Sequence, residues 1–592
     1  HKMINTIVEN SYIFTNKAKC QDCYRCVRVC PVKAVGVNNG QAYVDEKRCI
    51  FCGECITECP QGAKYYRKDT DKVKELFESG DEVVAAVAPS FAGLLSPEEI
   101  RRFPSALRLL GFSLVVEVAE GAYYATRESL RSVTKGRGCI STSCPAATAY
   151  TEKYRPDLLD ALIPVPSPMI AQAKLIKRRR GTGSKTVFIG PCVAKKREAD
   201  SPEYRGLIDA VITMEELFDW LAERNIDLNK LEESGFDWEK YTGGESFCLS
   251  GGIVDAAGVC DTSLNNEIKI IPVSGFERTV EALNIAGERG EKILIEPLVC
   301  SMGCINGPGI KSDVNILKRK LSVMAYAEAK KGKGEPLVEE QLQLTTLYHD
   351  RSDNFLSEYE ESKIKEILQQ TGKYTKDDEL NCGACGYDSC RDKAKAVLAG
   401  MAETNMCIPY MRRFAERRAD QIIDKTPNGI IVLDRMLSII SMNDAFQKMF
   451  MCTGSSVGRH VSSIIDPDLF ERVIGGGVDL IEQTITLAKY SLTTEVKIFR
   501  ISENAIVGIF VDITKRETEK KQLDTLRGET LKKAEELLEH QIKTAQFLAK
   551  ILGEGTAKSE ELLENLMKIT EDESRKGSTN KSKWLWDIYT SK

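Results

Sequence analysis

Two runs of four cysteines near the start of the chain constrain its fold more than any other feature. In each run two, two and three residues separate successive cysteines, and a proline follows the fourth. The runs comprise Cys20, Cys23, Cys26 and Cys30, and Cys49, Cys52, Cys55 and Cys59. Thiolates are soft ligands that select iron–sulfur clusters or zinc over hard cations. We therefore expect this segment to fold around inorganic groups.

The spacing of both runs resembles that of bacterial two-cluster ferredoxins, in which the fourth cysteine of each run binds the other cluster. A pair of zinc sites is the alternative, although structural zinc usually separates two Cys-x2-Cys pairs by a longer loop. Two adjacent clusters would serve as an electron relay. The resemblance assigns one [4Fe–4S] cluster to Cys20, Cys23, Cys26 and Cys59, and the second to Cys49, Cys52, Cys55 and Cys30.

The composition narrows the class of protein. With 592 residues the chain exceeds what one hydrophobic core usually supports, so several domains are expected. A net charge of -5 argues against a nucleic-acid partner. No apolar run approaches the ~20 residues of a membrane span, so we predict a cytoplasmic protein with no membrane partner. Because that compartment keeps thiols reduced, the 20 cysteines indicate metal or redox chemistry.

Between about residues 75 and 345, short apolar runs alternate with helical segments, which predicts parallel sheets with crossover helices. The runs lie at residues 83–88, 114–118, 186–189, 268–273 and 293–298. Ligands collect beyond the carboxyl ends of such strands, and Cys192 and Cys300 each directly follow a run. Cys304 shares a glycine-rich loop with Cys300, and Cys144 lies in a similar loop. We expect these four thiols to meet.

Three loops resemble the signature loops of the iron-only, or [FeFe], hydrogenases. They are Thr-Ser-Cys-Pro at 142–145, Pro-Cys-Val-Ala-Lys-Lys-Arg-Glu at 191–198, and Glu-x3-Cys-x2-Gly-Cys-x2-Gly-Pro-Gly at 296–309. A ferredoxin module also precedes the catalytic domain in that family. The resemblance implies an H-cluster, in which Cys144, Cys192, Cys300 and Cys304 hold a [4Fe–4S] cube. Cys304 would bridge the cube to a di-iron subsite that carries CO, cyanide and an azadithiolate.

The resemblance also implies roles for three charged residues. Lys195 matches the lysine that binds a cyanide of the di-iron subsite, and Glu198 and Glu296 match acids that lie just outside the cluster. A buried anionic cluster needs compensation, which an ammonium group three residues after a cysteine ligand can supply. The alternative for Lys195 is a solvated lysine in the basic run 195–197.

Three positions depart from the catalytic members of that family. Ser143 stands where they carry a cysteine that relays protons, and a hydroxyl is a poor acid–base relay near neutral pH. Gly190 and Leu298 stand where they carry methionines that pack around the di-iron subsite. We therefore expect slow proton delivery.

A third cysteine group follows a polar connection. Its arrangement is Cys382-x2-Cys385-x4-Cys390, with Cys407 placed 17 residues later, beyond a helical stretch that can fold the fourth cysteine back onto the other three. It resembles a small [4Fe–4S] domain, although tetrahedral zinc also suits this spacing. The cysteines outside every motif are predicted to be small buried apolar side chains: Cys139, Cys248, Cys260 and Cys452.

Residues 416–515 resemble a PAS domain, because a strand follows a helix at 426–433 and Asn443 and Phe446 occupy the usual places of that family. Such a domain holds a ligand or serves as a dimer platform. From Arg516 the chain reads as a long helix, either part of a coiled coil or a single amphipathic helix packed on the PAS domain. The tail from Gly577 is predicted to be disordered.

Together these features predict a multidomain α+β and α/β protein with four [4Fe–4S] clusters and one di-iron subsite. Its five segments are 1–70 (ferredoxin domain), 71–345 (two-lobed α/β H-cluster domain), 346–412 (linker and small [4Fe–4S] domain), 413–515 (PAS domain) and 516–592 (signalling helix or coiled coil with a flexible tail).

The domain order resembles that of a sensory branch of the [FeFe] hydrogenases. It implies a hydrogenase of low turnover that interconverts H2 with two protons and two electrons and relays its redox state to the PAS domain and terminal helix. The implied partners are a redox protein such as ferredoxin, a downstream kinase or phosphatase, and a second copy of the chain. Two alternatives stay open: a fast hydrogenase linked to ferredoxin, and an iron–sulfur electron-transfer scaffold without a di-iron subsite.

Overall fold

The computed structural model of the chain describes residues 11–135, 139–260, 268–286, 292–333, 340–353, 359–475, 479–502 and 504–552. The chain divides into two compact units, residues 1–412 and residues 413–592. Among the described residues, no helix combines the length and the apolar character that crossing a lipid bilayer requires.

The first unit begins with a small module built from two antiparallel strand pairs. Ile13–Thr15 pairs with Lys64–Tyr66, which brings the start and end of the module together. Val35–Asn38 and Gln41–Val44 form a hairpin whose turn residues, Asn39 and Gly40, have φ values of 51° and 67°. Positive φ at both turn positions matches the right-handed twist of the strands. The two short helices are Arg25–Val29 and Glu54–Thr57.

A four-stranded parallel sheet forms the larger lobe of the next domain. Its central strand, Val83–Val87, is buried throughout because Leu114–Glu117 pairs on one side and Lys185–Gly190 on the other. Ala210–Thr213 completes the sheet beside Lys185–Gly190. A continuous apolar run is typical of a parallel strand covered on both faces. The predicted parallel sheet with crossover helices is confirmed.

The smaller lobe contains a parallel pair, Lys269–Ser274 with Ile293–Leu298. Ile140 forms a bridge to Ile295, so the loop that leads to Cys144 begins beside this sheet. The predicted two-lobed α/β architecture is therefore present. Among the described residues of both lobes, the helices are Thr70–Glu78, Pro97–Leu110, Ala119–Thr134, Pro145–Tyr154, Pro168–Arg180, Ala194–Ala199, Met214–Glu223, Gly252–Cys260, Phe276–Ile285 and Ile316–Lys330.

Three helices lie in the last part of the first unit. They are Glu361–Gln370, Cys390–Leu398 and Ile408–Lys425, the last of which continues into the second unit. Ile364 and Leu368 of the first helix pack against Ala394 of the second.

A five-stranded antiparallel sheet dominates the second unit. In sheet order its strands are Ile439–Met442, Gly429–Leu433, Ala505–Asp512, Leu492–Ser502 and Leu480–Leu487. The Asn443 side chain accepts hydrogen bonds from the amides of Ile430 (2.8 Å) and Phe446 (3.0 Å), so it begins the helix Asp444–Met449 and ties it to the sheet. Phe446 is fully buried in the core. The remaining short helix is Asp468–Ile474.

The helix Thr514–Leu552 follows the sheet. Several of its large apolar side chains are exposed to solvent: Leu523, Leu526, Leu531, Leu537, Phe547 and Leu548. An exposed apolar face on a long helix is typical of a surface that pairs with another helix. The tail from Gly577 lies outside the described residues.

Candidate metal centres

The structure brings the four cysteines of the predicted H-cluster together from separate chain elements. Cys144 immediately precedes the helix Pro145–Tyr154. Cys192 follows the strand Lys185–Gly190, and Cys300 and Cys304 follow the strand Ile293–Leu298. All four thus lie in loops beyond strand ends or at a helix start, where a parallel α/β fold places ligands.

Electrostatic effects between these thiols show that they are neighbours. The pKa of Cys192 is raised to about 11, chiefly by burial and also by the nearby Cys144 thiolate, while Lys195 acts in the opposite direction. Burial also raises the pKa of Cys300 well above its usual value, and Cys192, Cys304 and Cys144 add to that increase. Four converging thiolates would repel one another, so this arrangement favours a bound cationic metal centre.

Glycines allow the loops of this centre to approach one another. Gly303 has φ of +93°, and a β-carbon there would lie 2.7 Å from the carbonyl oxygen of Cys248. A β-carbon on Gly307 would lie 2.4 Å from the carbonyl oxygen of Pro191. The Gly309 amide donates a hydrogen bond to that same oxygen at 2.8 Å. The loops that carry Cys192 and Cys304 are therefore joined backbone to backbone.

A cavity of about 70 Å³ lies beside Cys304. Besides Cys304 and Cys192, Ser143 and Lys195 supply its polar groups. Its other lining residues are apolar or weakly polar: Ala88, Pro89, Val118, Ala122, Pro168, Met169, Phe188, Pro191, Phe247, Cys248 and Leu298. A mostly apolar cavity with a few converging polar groups is typical of a cofactor or ligand site.

Lys195 is buried, in contrast to the solvated lysine that was the alternative interpretation. Its side chain is 10% exposed, and Nζ lies 2.7 Å from Oε2 of Glu198, which is equally buried. Nζ also donates a hydrogen bond to the Ser143 carbonyl oxygen at 3.4 Å. Lys195 and Glu198 thus form a buried ion pair at the cavity wall, with the cation on the side of the cysteines.

Glu296 has a different environment. Its side chain is fully buried, and burial raises its pKa to about 8. Its carboxyl group accepts hydrogen bonds from the amides of Gly251 (2.7 Å) and Ile253 (3.3 Å), at the start of the helix Gly252–Cys260. Glu296 therefore ties the strand that leads to Cys300 to that helix.

Gly190 and Leu298, the two positions where the family resemblance implies methionine, have different surroundings. Leu298 lines the cavity directly. At Gly190, a β-carbon would lie 2.4 Å from Cε1 of Phe188, so the Phe188 ring occupies the space that a larger side chain would need. The sequence indicated no special role for Phe188, because an apolar residue in a predicted strand is expected simply to pack in the hydrophobic core.

Cys248 is a second residue whose position the sequence did not suggest. It is 5% exposed, lines the cavity, and its carbonyl oxygen accepts the Cys304 amide at 2.8 Å. A lone cysteine carries no spacing signal, so only the fold places it here. Ser143 also lines the cavity, and its hydroxyl lies 3.1 Å from the Ser141 hydroxyl.

The cysteines of the N-terminal module separate into two groups, as the ferredoxin spacing implies. The pKa of Cys26 is raised to about 11, chiefly by burial; Lys64 opposes this increase, and the neighbouring Cys20, Cys23 and Cys59 contribute to it. In the second group, burial raises the pKa of Cys52, and Cys30 and Cys55 are among its neighbours. Cys49 likewise neighbours Cys52 and Cys30. The soft donors of each group fit an iron–sulfur cluster.

The third cysteine group surrounds a cavity between the helices of the small domain. The cysteines that line it are Cys382, Cys385, Cys390 and Cys407. Within the described ranges, no three Cys, His, Asp or Glu side chains are placed to hold a single metal ion. The thiols of this group line a cavity, and their soft donor set fits an iron–sulfur cluster.

Comparison with known families agrees with this geometry. Residues 81–308 match the iron-only hydrogenase large subunit, C-terminal domain, and residues 17–63 match a 4Fe-4S dicluster domain. Residues 81–308 are thus similar to the iron-only hydrogenases. On the C-terminal side of this match, residues 378–409 match an Fe-S cluster family and residues 417–481 match a PAS domain. The predicted family resemblance is confirmed.

Individual relatives are similar to parts of the chain. Iron hydrogenase 1 of Clostridium pasteurianum is 29% identical over 40% of this chain and 52% of its own length. A cytosolic Fe-S cluster assembly factor, NAR1 of Vanderwaltozyma polyspora, is 35% identical over 20% of this chain and 22% of its own length. The chain thus spans about half of the first relative and less of the second. A solved structure of a variant of [FeFe]-hydrogenase HydA1 from Chlamydomonas reinhardtii is 18% identical, with a TM-score of 0.36, and covers 48% of this chain and 100% of its own.

Proposed function

We propose that this protein is an H2-sensing regulatory hydrogenase. It binds H2 at an H-cluster, interconverts it slowly with two protons and two electrons, and relays its redox state to the PAS domain and terminal helix. The observation that carries this proposal is the cavity beside Cys304, which Ser143 and Lys195 line and which is otherwise mostly apolar.

The residues around this cavity fit the group that the family implies. Cys144, Cys192, Cys300 and Cys304 would hold the cube, with Cys304 as the bridge. The di-iron subsite and its azadithiolate amine would supply heterolytic cleavage of H2. Lys195 offers an ammonium donor at the cavity wall for an anionic ligand such as cyanide, and Glu198 fixes that ammonium by an ion pair of 2.7 Å.

Slow turnover follows from the same cavity. Ser143 carries a hydroxyl where a thiol would exchange protons near neutral pH, so proton delivery at this position should limit the rate. Leu298 and the Phe188 ring give the wall a different shape from one built with methionine. These are the features expected of a sensor, in which occupancy and redox state matter more than flux.

The remaining segments supply the output in this proposal. The clusters held by the N-terminal and C-terminal cysteines exchange electrons with a redox partner such as ferredoxin in the cytoplasm. The PAS domain and the helix Thr514–Leu552 present the signal to a kinase or phosphatase. The exposed leucines of that helix support a homodimer, because pairing with a second copy would cover them. We propose that the five segments predicted from the sequence are the domains of this chain.

A second candidate is an iron–sulfur scaffold without a di-iron subsite. The similarity to the assembly factor NAR1 favours it, because it shows that part of the chain resembles a protein with an iron–sulfur assembly role. The third, a fast hydrogenase linked to ferredoxin, is favoured by the similarity to Iron hydrogenase 1.

Infrared spectroscopy distinguishes the three candidate functions: the sensor, the scaffold and the fast hydrogenase. We expect the chain, loaded anaerobically with a synthetic di-iron complex, to show CO and cyanide bands that shift under H2, with a low specific activity. Bands that do not respond to H2 would contradict the sensor. The absence of bands, together with an iron content that accounts only for the clusters, would favour the scaffold. A high specific activity would favour the fast enzyme.

A further inference from the structure

The small domain at residues 382–407 is docked on the N-terminal module. The Val37 amide donates to the Met401 carbonyl oxygen at 3.0 Å, which extends the hairpin Val35–Val44 toward this domain. Lys33 Nζ donates to the Gly386 carbonyl oxygen at 2.8 Å, and Arg28 donates to the Ala384 carbonyl oxygen at 2.9 Å. The contacts thus come from the segments just before and after Cys30.

Apolar residues of the small domain and of the N-terminal module also pack closely against each other. A β-carbon on Gly386, which has φ of +96°, would lie 2.8 Å from Cγ1 of Val27, so the Gly386 backbone packs directly against the Val27 side chain. Tyr387 is 4% exposed and belongs to the same apolar cluster as Cys30. Cys385 of the small domain packs against that same cluster. Tyr387 therefore lies near a cysteine of each of the two groups.

Two buried lysines face the cysteines of the small domain. Lys373 is 6% exposed and its Nζ donates to Sγ of Cys407 at 3.3 Å. Lys393 is 4% exposed, donates to the Thr404 carbonyl oxygen at 2.7 Å, and lines the same cavity as the four thiols. Reduction of a cluster adds one negative charge, and a nearby buried ammonium stabilises that charge more than it would in water.

We propose that residues 382–407 form a built-in electron acceptor for the N-terminal module, with Tyr387 in the apolar cluster that joins Cys30 to Cys385 and with Lys373 and Lys393 favouring the reduced state of the accepting site. One electron leaves the site that contains Cys30 and enters the site that contains Cys407; no proton moves and no bond is made or broken. The inference rests on the proposed function only for its source of electrons, which is H2.

Cys407 lies directly before the helix Ile408–Lys425, which connects the accepting site to the signalling segments of the chain. The Met411 amide donates to the Cys407 carbonyl oxygen at 2.8 Å, so the helix Ile408–Lys425 begins at a cysteine of the accepting site. That helix leads along the chain into the PAS domain. Reduction of the accepting site would therefore add negative charge beside the N-terminus of the helix Ile408–Lys425, where the helix dipole stabilises negative charge.

The test is a redox titration, followed by electron paramagnetic resonance, of the full chain with its iron–sulfur clusters reconstituted and no di-iron subsite loaded. Cys382→Ser identifies the signal of the small domain. Lys393→Met and Lys373→Met remove the buried charges, Lys393→Arg keeps a charge, and Lys395→Met removes an exposed charge from the same helix. Iron per chain is measured first for every variant.

We expect the signal lost in Cys382→Ser to be reduced at the highest potential among the clusters of the cysteine groups. At a fixed potential, each buried Lys→Met substitution should lower its ratio of reduced to oxidised cluster about tenfold, which is about 59 mV for one electron. Lys395→Met should stay within about twofold of the parent. Lys393→Arg should restore most of the ratio. With both sites reduced, their signals should broaden one another.

Three results would overturn the proposal. They are a small-domain signal that is reduced at the lowest potential, buried Lys→Met variants that titrate like Lys395→Met, and the absence of mutual broadening. Should Lys→Met variants fail to hold iron, the parent order of potentials and the broadening still decide. Because no di-iron subsite is present, these outcomes are independent of the infrared response to H2 that tests the proposed function.

Discussion

Replacing Lys195 with methionine tests the link between the cavity and the di-iron subsite most directly. The Lys195 ammonium is buried, pairs with Glu198 at 2.7 Å and lines the cavity beside Cys304. A hydrogen bond to a charged group is worth about 1.5–3 kcal/mol. Since about 1.4 kcal/mol corresponds to a factor of ten, Lys195→Met should weaken binding of a synthetic di-iron complex roughly 10- to 150-fold.

The assay is anaerobic titration of the cluster-loaded chain with that complex, followed by the amplitude of its CO and cyanide bands. Lys311→Met is the control, because the Lys311 side chain is 83% exposed and follows the same glycine-rich loop. Lys195→Met also leaves Glu198 without its cation, which costs free energy by itself. The double variant Lys195→Met, Glu198→Gln removes both charges. If the double variant binds as tightly as the parent, the ammonium does not contact the subsite and the reasoning is wrong.

Three further outcomes follow from the structure. Ser143→Cys should raise H2 turnover about 10- to 100-fold in an activity assay, since a thiol exchanges protons far more readily than a hydroxyl; unchanged turnover would show that proton delivery is limited elsewhere. Gly190→Met alone should lower the yield of folded protein, because the Phe188 ring fills its space, and adding Phe188→Ala should restore solubility. Lys196→Met should destabilise the first unit by about 3–5 kcal/mol in urea unfolding, since Lys196 is fully buried between two carboxylates, whereas the exposed Lys68→Met should cost under about 1 kcal/mol.

The positions of the cysteines could be predicted because spacing and strand ends are local properties. Cys192 and Cys300 each follow an apolar run, and the runs are strands in the structure, Lys185–Gly190 and Ile293–Leu298. The glycines after Cys300 likewise indicate a tight loop from the sequence alone. The fold class was accessible for the same reason, since alternation of short apolar runs with helices has few solutions.

Long-range packing could not be predicted in the same way. That the Phe188 ring fills the space beside Gly190 depends on a side-chain direction within one strand, and that Cys248 lines the cavity depends on a loop far from the motifs. The docking of Gly386 on Val27 joins segments more than 350 residues apart, and nothing in either segment indicates the other. In the same manner, Lys195 and Lys196 look alike in the sequence, yet they pair with different carboxylates.

The proposed cysteine ligands and the positions proposed to limit the rate lie in different structural surroundings, so one set can be kept while the other differs. The loops with Cys192 and Cys304 are joined through backbone contacts at Gly307 and Gly309, so a change there displaces both ligands together. Ser143 and Leu298, in contrast, face the cavity, where a different side chain alters only the wall. If the proposed function is right, single substitutions in the cavity wall can slow such a centre without loss of its cysteines, and a sensor can arise from an enzyme by that route.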